Sequence, residues 1–310
     1  MLTLTDHLTT TAPTMDDAFV SGVNDARRGV KPTADYAILA SVRARHGFRE
    51  LTTSLLTPPD ANSKLDKAST PSYGLTLHHV RSVFDATDDA PRLSVNACPW
   101  AGHCTRVCVL NNGNGRYDSV QRAWRWRTDF LARLPESFAR VLAFELVRAV
   151  RKHGAILFRP NVNSDVQWER VLPSLTDGYV NGVTSYGYSK SPDVLETDGW
   201  LGAAYRVAYS WNERSDADKV RAFLVRGGSV AAVTSRRKGD AVLAVFPFGT
   251  TARAVDADVT DEWMLASGVV GDLSAKGKAR DLIGNSGFVV NADERVRVAV
   301  KVGRRVAVTS

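Results

Sequence analysis

Three cysteines lie within one eleven-residue stretch, Cys98-Pro99-Trp100-Ala101-Gly102-His103-Cys104-Thr105-Arg106-Val107-Cys108, and the 310-residue chain contains no others. Thiolates are soft donors, and three on one loop make an anionic tripod for a metal or an iron–sulfur centre. A cubane cluster ordinarily takes four cysteines, so three leave one iron open to water or to a ligand bound through nitrogen and oxygen. S-adenosylmethionine bound in that way can take up an electron and break homolytically. The spacing is Cys-x5-Cys-x3-Cys, longer than the Cys-x3-Cys-x2-Cys usual for that chemistry. Zinc is the competing reading, with His103 or a remote residue as fourth ligand. His103 adjoins Cys104, however, and neighbouring residues rarely point at the same ion. Three thiols without any metal are the plain alternative.

The elements that must hold this loop follow from periodicity. Arg92 to Asn96 forms a short strand leading directly into it, and Ser72 to Leu77 forms another. Apolar residues at Tyr117, Val120, Trp124, Leu131 and Leu134 share one helical face, and Pro135 ends that helix. A second helix runs from Glu136 to Lys152, with Gly154 as its C-cap. Ala155 to Phe158 is a continuous apolar run, as in a strand covered on both faces. Further strands are expected at Val183–Tyr188, Tyr205–Trp211, Ser229–Thr234, Ala241–Phe246 and Val269–Leu273, with a helix at Asp216–Val225. Strands alternating with helices imply a parallel sheet, so the fold class is α/β, a partial or irregular parallel (βα) barrel. Residues 1–61 form an N-terminal helical arm, loose over 1–32. Residues 62–290 form the barrel-like domain that carries the cysteines. Residues 291–310 alternate valine with basic residues about a Gly-Arg turn, as a β-hairpin does.

In such a fold, functional side chains project from the C-terminal ends of the strands. Here each strand turns polar at that end. The candidates beyond Phe158 are Arg159, Asn161, Asn163 and Asp165, placed to hydrogen-bond a ligand's carboxylate, ribose or amine. Tyr186, Tyr188 and Lys190 would line the opposite wall. Cys98, Cys104 and Cys108 would hold the metal.

Several of these segments also resemble a known family. They are Asn62-Ser63-Lys64-Leu65-Asp66-Lys67, Pro71 to Leu77, and the cysteine loop read as Cys98-Pro99-x-Ala101-Gly102-x-Cys104-x3-Cys108. Arg159-x3-Asn163-Ser164-Asp165, Tyr186-x-Tyr188-Ser189-Lys190 and Gly271 to Ala279 complete the set. Together they are similar to the phage gene product 88-like family of actinobacteriophages, over roughly residues 62–282. The layout of that family looks like a reduced radical S-adenosylmethionine barrel. The resemblance implies a 4Fe-4S cluster and S-adenosylmethionine as cofactors.

Composition bounds the setting. The net charge is +7. Residues 116–152 carry nine Lys/Arg against four Asp/Glu, and residues 291–310 carry five against two. The remainder therefore sums to 7 − 5 − 3 = −1, so the positive charge is local. The Arg-rich segment 116–152 is the candidate surface for nucleic acid or a nucleotide. With no run of eighteen apolar residues, no membrane span is expected. An odd cysteine count with no secretory leader points to a reducing cytoplasm, the host's if the chain is phage-encoded. The expected function is an iron–sulfur protein of radical S-adenosylmethionine-like type acting on nucleic acid or a nucleotide. The alternative is a zinc-stapled nucleic-acid-binding or interaction protein without catalysis.

Overall fold

The computed structural model describes residues 2–48, 54–61, 65–79, 81–87, 90–108, 113–250 and 253–291. The chain opens with β1 (Leu2–Thr3), α1 (Leu4–Thr9), α2 (Ala12–Arg27) and α3 (Thr33–Arg45). The strands β2 (Ser72–Gly74), β3 (Ser82–Phe84) and β4 (Leu93–Asn96) follow, and β4 runs into the cysteine loop. Next come α4 (Asp118–Arg133), α5 (Pro135–His153), β5 (Ile156–Arg159), α6 (Trp168–Val171) and α7 (Pro173–Thr176). Then β6 (Val183–Ser189), β7 (Trp200–Gly202), β8 (Tyr205–Ser210), α8 (Ala217–Val225) and β9 (Ser229–Thr234) lead to a small hairpin, β10 (Val245–Phe246) and β11 (Gly249–Thr250). Finally come β12 (Ala254–Asp256), β13 (Val270–Ser274) and β14 (Val289–Val290).

The main sheet runs β12-β13-β9-β8-β6-β5-β2, and every pairing along that path is parallel. It curls into a half-barrel with helices against it. β7 adds antiparallel to β8, and β14 pairs with the last residues of β9. The concave face carries Leu157, Tyr186, Ala208 and Ala231, one from each of four adjacent strands, closed over by Trp263 and Met264. The larger core lies on the helical side, where Phe19, Phe130, Phe138 and Leu142 are fully buried.

Four expectations need correction. The loose arm over residues 1–32 is replaced by packed helices, because Leu4, Leu8, Met15, Phe19 and Val23 repeat at helical spacing and are all buried. Helix α2 lies tight on α5: a Cβ on Gly22 would sit 3.0 Å from the Arg140 Cα. Residues 241–246 contribute only the two-residue β10, and the edge of the main sheet is instead β12. β4 does not belong to the barrel; it pairs with β1 and β3 in a separate three-stranded sheet. An acidic pair such as Asp256-Ala257-Asp258 reads in sequence as an exposed loop, yet Asp258 is in the interior, 5% exposed. Helices α4 and α5 match their predicted bounds closely, and Gly154 takes a φ of 80° at the cap of α5. The hairpin expected in the valine-rich tail falls on residues outside the described ones, as does Asn62-Ser63-Lys64.

Candidate functional site at the barrel mouth

Parallel strands place all their C-terminal ends on one rim, and the cysteine loop is tied across it. Ala97, at the end of β4, accepts a hydrogen bond from Asp165 N at 2.7 Å and donates to His79 O at 3.3 Å. Residues His103–Val107 form a 3-10 turn. Its first amide, His103 N, donates to Glu213 Oε1 at 2.8 Å, just beyond β8. The His103 Nδ1 atom lies 2.8 Å from Ser286 O, shortly before β14. Cys104 and Val107 pack against Ala275, Ala279, Leu282 and Phe288. At Gly102 the loop approaches Glu213 so closely that an added Cβ would displace the Glu213 carboxylate. The loop is thus anchored to segments that follow β5, β8 and β13, although it grows from another sheet.

Lys190 is coupled by charge to the cysteine loop. Lys190, immediately beyond β6, is pulled down in pKa by burial, yet Cys104, Cys98, Asp165 and Cys108 together hold it above the ordinary lysine value. One ammonium therefore feels all three sulfurs. Burial, then Asp165, push the Cys98 thiol up to about 12, against the opposing pull of Lys190. Without a metal Cys98 is a neutral thiol at neutral pH, and a bound metal would displace its proton. Asp165 is raised chiefly by burial, partly offset by Lys190, and its Oδ2 accepts from Lys190 N at 3.0 Å. No disulfide joins any two of the three cysteines. Among the described residues no three His, Cys, Asp or Glu side chains stand as a ready-made ligand set. The thiols share a neighbourhood without a closed coordination sphere.

Three buried polar atoms on this rim have no hydrogen-bond partner among the described residues: Trp100 Nε1, Asn163 Nδ2 and Glu213 Oε2. Buried donors and acceptors are nearly always paired, so each such atom needs an explanation. Asn163 spends its other end accepting from Leu77 N at 3.1 Å.

The remaining predicted residues lie deeper. Arg159 bonds Asp261 at 2.5 Å, and its guanidinium lies 4.9 Å from the Tyr188 ring centroid. The Tyr188 hydroxyl donates to the other oxygen of Asp261 at 2.9 Å. The Tyr186 hydroxyl pairs with Ser72 Oγ at 2.9 Å. Asn161 Oδ1 accepts from Ser164 Oγ, Val166 N and Trp168 Nε1, so this side chain staples its own loop. Asn163, Asp165 and Lys190 are therefore the predicted residues that reach the cysteine rim. Arg159, Tyr186 and Tyr188 form a fixed wall within the concavity.

The Arg-rich segment turns many of its charges inward. Arg125 donates to Val83 O, Arg127 to Leu55 O, Arg133 to Asp129 and Pro91 O, and Arg140 to Asp35. Two features escaped the sequence. Glu213 and Trp100 lie in segments recognisable as rim, but nothing in their types marks them. A second ionic cluster sets Arg236 against Asp256, Asp258 and Asp272, with Lys276 2.7 Å from Asp258. Alternating aspartates in Asp256-Ala257-Asp258 were its one visible trace.

A parallel half-barrel whose C-terminal mouth is closed by a thiol-bearing loop is the class that fold and site define. The sequence profile described as Gene product 88 matches residues 52–292, and the chain belongs to that family. Neither a curated protein nor a solved structure matches the chain. Among the described residues no helix is long and apolar enough to cross a membrane.

Proposed function

We propose that this chain is an iron–sulfur protein of radical S-adenosylmethionine-like type. Cys98, Cys104 and Cys108 would hold a 4Fe-4S cluster. The observation that carries the reading is that the one loop bearing all three cysteines is tied, through Ala97 to Asp165 and through His103 to Glu213, across the mouth of a parallel half-barrel. The donor set suits a cluster in kind: three soft sulfurs, a cation to offset their charge, and unpaired buried polar atoms beside them. Such a centre, with S-adenosylmethionine on its open iron, supplies one-electron cleavage chemistry.

The chain's own residues have separable tasks. Lys190 compensates the negative charge of the thiolates. Asn163 Nδ2 and Trp100 Nε1 offer donors to a ligand carboxylate or hydroxyl, and Glu213 Oε2 offers an acceptor to an ammonium group. Arg159, Asp261 and Tyr188 are mutually fixed and keep the wall below rigid and dry. Breaking such a buried pair by removing one partner costs about 3–5 kcal/mol, so these residues hold shape more than they exchange protons.

The test is anaerobic reconstitution with iron and sulfide, followed by iron analysis and electron paramagnetic resonance of the reduced protein. Stoichiometric iron and a cluster signal, both lost in Cys104→Ser with the fold intact, are expected. Zinc retained in place of iron would make the loop a staple, and a spectrum without any cluster signal removes the redox reading.

A further inference from the structure

We propose that nucleic acid docks across the cysteine-bearing mouth of the half-barrel, its phosphates held by cations on the surrounding loops. This rests on the mouth being the reactive site and names the substrate class it would take. The segment richest in arginine is a poor platform, since Arg125, Arg127, Arg133 and Arg140 are committed to carbonyls and carboxylates of the fold. Its exposed Arg148, Arg151 and Lys152 stand at the end of α5 that leads into the start of β5, away from the mouth, and a second set of exposed cations surrounds the mouth itself. Arg106 projects from the cysteine turn, and Arg214 follows Glu213, which clamps that turn. Arg237 and Lys238 follow β9. Lys278 and Arg280 lie on the turn Gly277–Leu282, which packs directly on His103–Val107. All six are exposed.

The exposed acids on the same loops are Asp216, Asp240 and Asp281. Asp216 is occupied in capping α8, where it accepts from the Asp218 and Lys219 amides. The acids that could have neutralised the rim, Asp256, Asp258 and Asp272, are instead consumed by Arg236 and Lys276. Positive charge is thus left facing outward around the thiols. It is spread over four separate loops, an arrangement suited to the successive phosphates of a strand. Phosphate contacts position a substrate without reading its sequence, so mixed sequences should bind alike.

The experiment is fluorescence polarisation of the full-length chain with a labelled mixed-sequence single-stranded oligonucleotide, across a salt series. Binding should weaken with salt by about 0.7 log units per log unit of salt for each neutralised phosphate. The variant Arg237→Glu/Lys238→Glu/Lys278→Glu should lower that slope by about 2 and weaken binding at least about tenfold near 100 mM salt. Arg148→Glu/Lys152→Glu, on the exposed end of α5, should leave it unchanged, and circular dichroism checks that both variants fold. Salt-insensitive binding, loss only in the α5 variant, or equal competition by a free mononucleotide overturns the proposal. A chain with all three cysteines changed to serine should still bind. Retained binding without cluster assembly in the native chain sinks the iron–sulfur reading alone, whereas a loaded cluster without salt-dependent binding sinks this one alone.

Discussion

His78 and His79 lie side by side behind the cysteine loop, ring centroids 5.5 Å apart, and both are neutral for the same reason. Burial, joined for His78 by His79 and Arg125, lowers each to about 4. His78 is 8% exposed and its Nδ1 pairs with Ser82 Oγ at 2.8 Å. In the unfolded chain the ring titrates near 6.5, so between pH 6.5 and 4 the unfolded state binds more protons. Stability from this ring is therefore complete above pH 6.5 and is lost as pH falls toward 4, a loss of roughly 3 kcal/mol. Urea unfolding at pH 7.5 and 4.5 should show the drop, and His78→Gln should shrink it. Equal shrinkage in His153→Gln, at the exposed end of α5, would mean that general charge repulsion is responsible. Histidine counts in the sequence said nothing of this, because burial rather than residue type sets the titration. The cysteines are the opposite case. Their chemistry was legible from type and spacing, while the neighbours that complete the rim, Trp100 and Glu213, required the fold.

Legibility among the elements followed the strength of the repeat. Helices α4 and α5 carry long apolar stripes and a proline between them, so their bounds were readable. Helix α2 was hidden by its polar composition, although Met15, Phe19 and Val23 recur every four residues and are fully buried. Parallel strands were readable as apolar runs, but the three-residue β12 is too short to leave a pattern. That β4 pairs outside the barrel was also beyond reach, since a strand's sequence does not name its partner. The contact between α2 and α5 gives an element-scale prediction. Gly22 faces Arg140 Cα at 3.0 Å, Ala143 Cβ at 3.1 Å and Arg140 O at 3.3 Å, mostly backbone that cannot swing aside. Gly22→Val should force the helices apart and cost about 1–3 kcal/mol. Gly22→Ala should cost less, because its better helix propensity returns up to about 1 kcal/mol. Thermal and urea melts of the two variants decide it: a Val variant as stable as the native chain would show that the helices can part freely.

At the scale of the whole molecule, the family match and the hydrophobic core do not share a boundary. The match begins at residue 52, yet Leu4, Leu8, Met15, Phe19 and Val23 belong to the same buried cluster as Phe130, Phe138 and Leu142. The N-terminal helices also bond the barrel's loops: Ser174 N and Oγ donate to the carboxylate of Asp16, and Gln167 N donates to Thr5 Oγ1. Both donor residues, Gln167 and Ser174, lie on the connection from β5 to β6, which also bears Asn163 and Asp165. Removing residues 1–29 would expose the apolar face of α5 and release that connection together. Each lost apolar side chain is worth roughly 1.5–3 kcal/mol, so five together, about 7.5–15 kcal/mol, are comparable to the whole stability of a typical domain. The truncated chain should therefore lose cooperative unfolding and aggregate, as read by a melt and by gel filtration beside the full chain. A soluble, cooperatively folding truncation would show the helices to be an accessory layer, and the barrel mouth would then owe its shape to residues 52–292 alone.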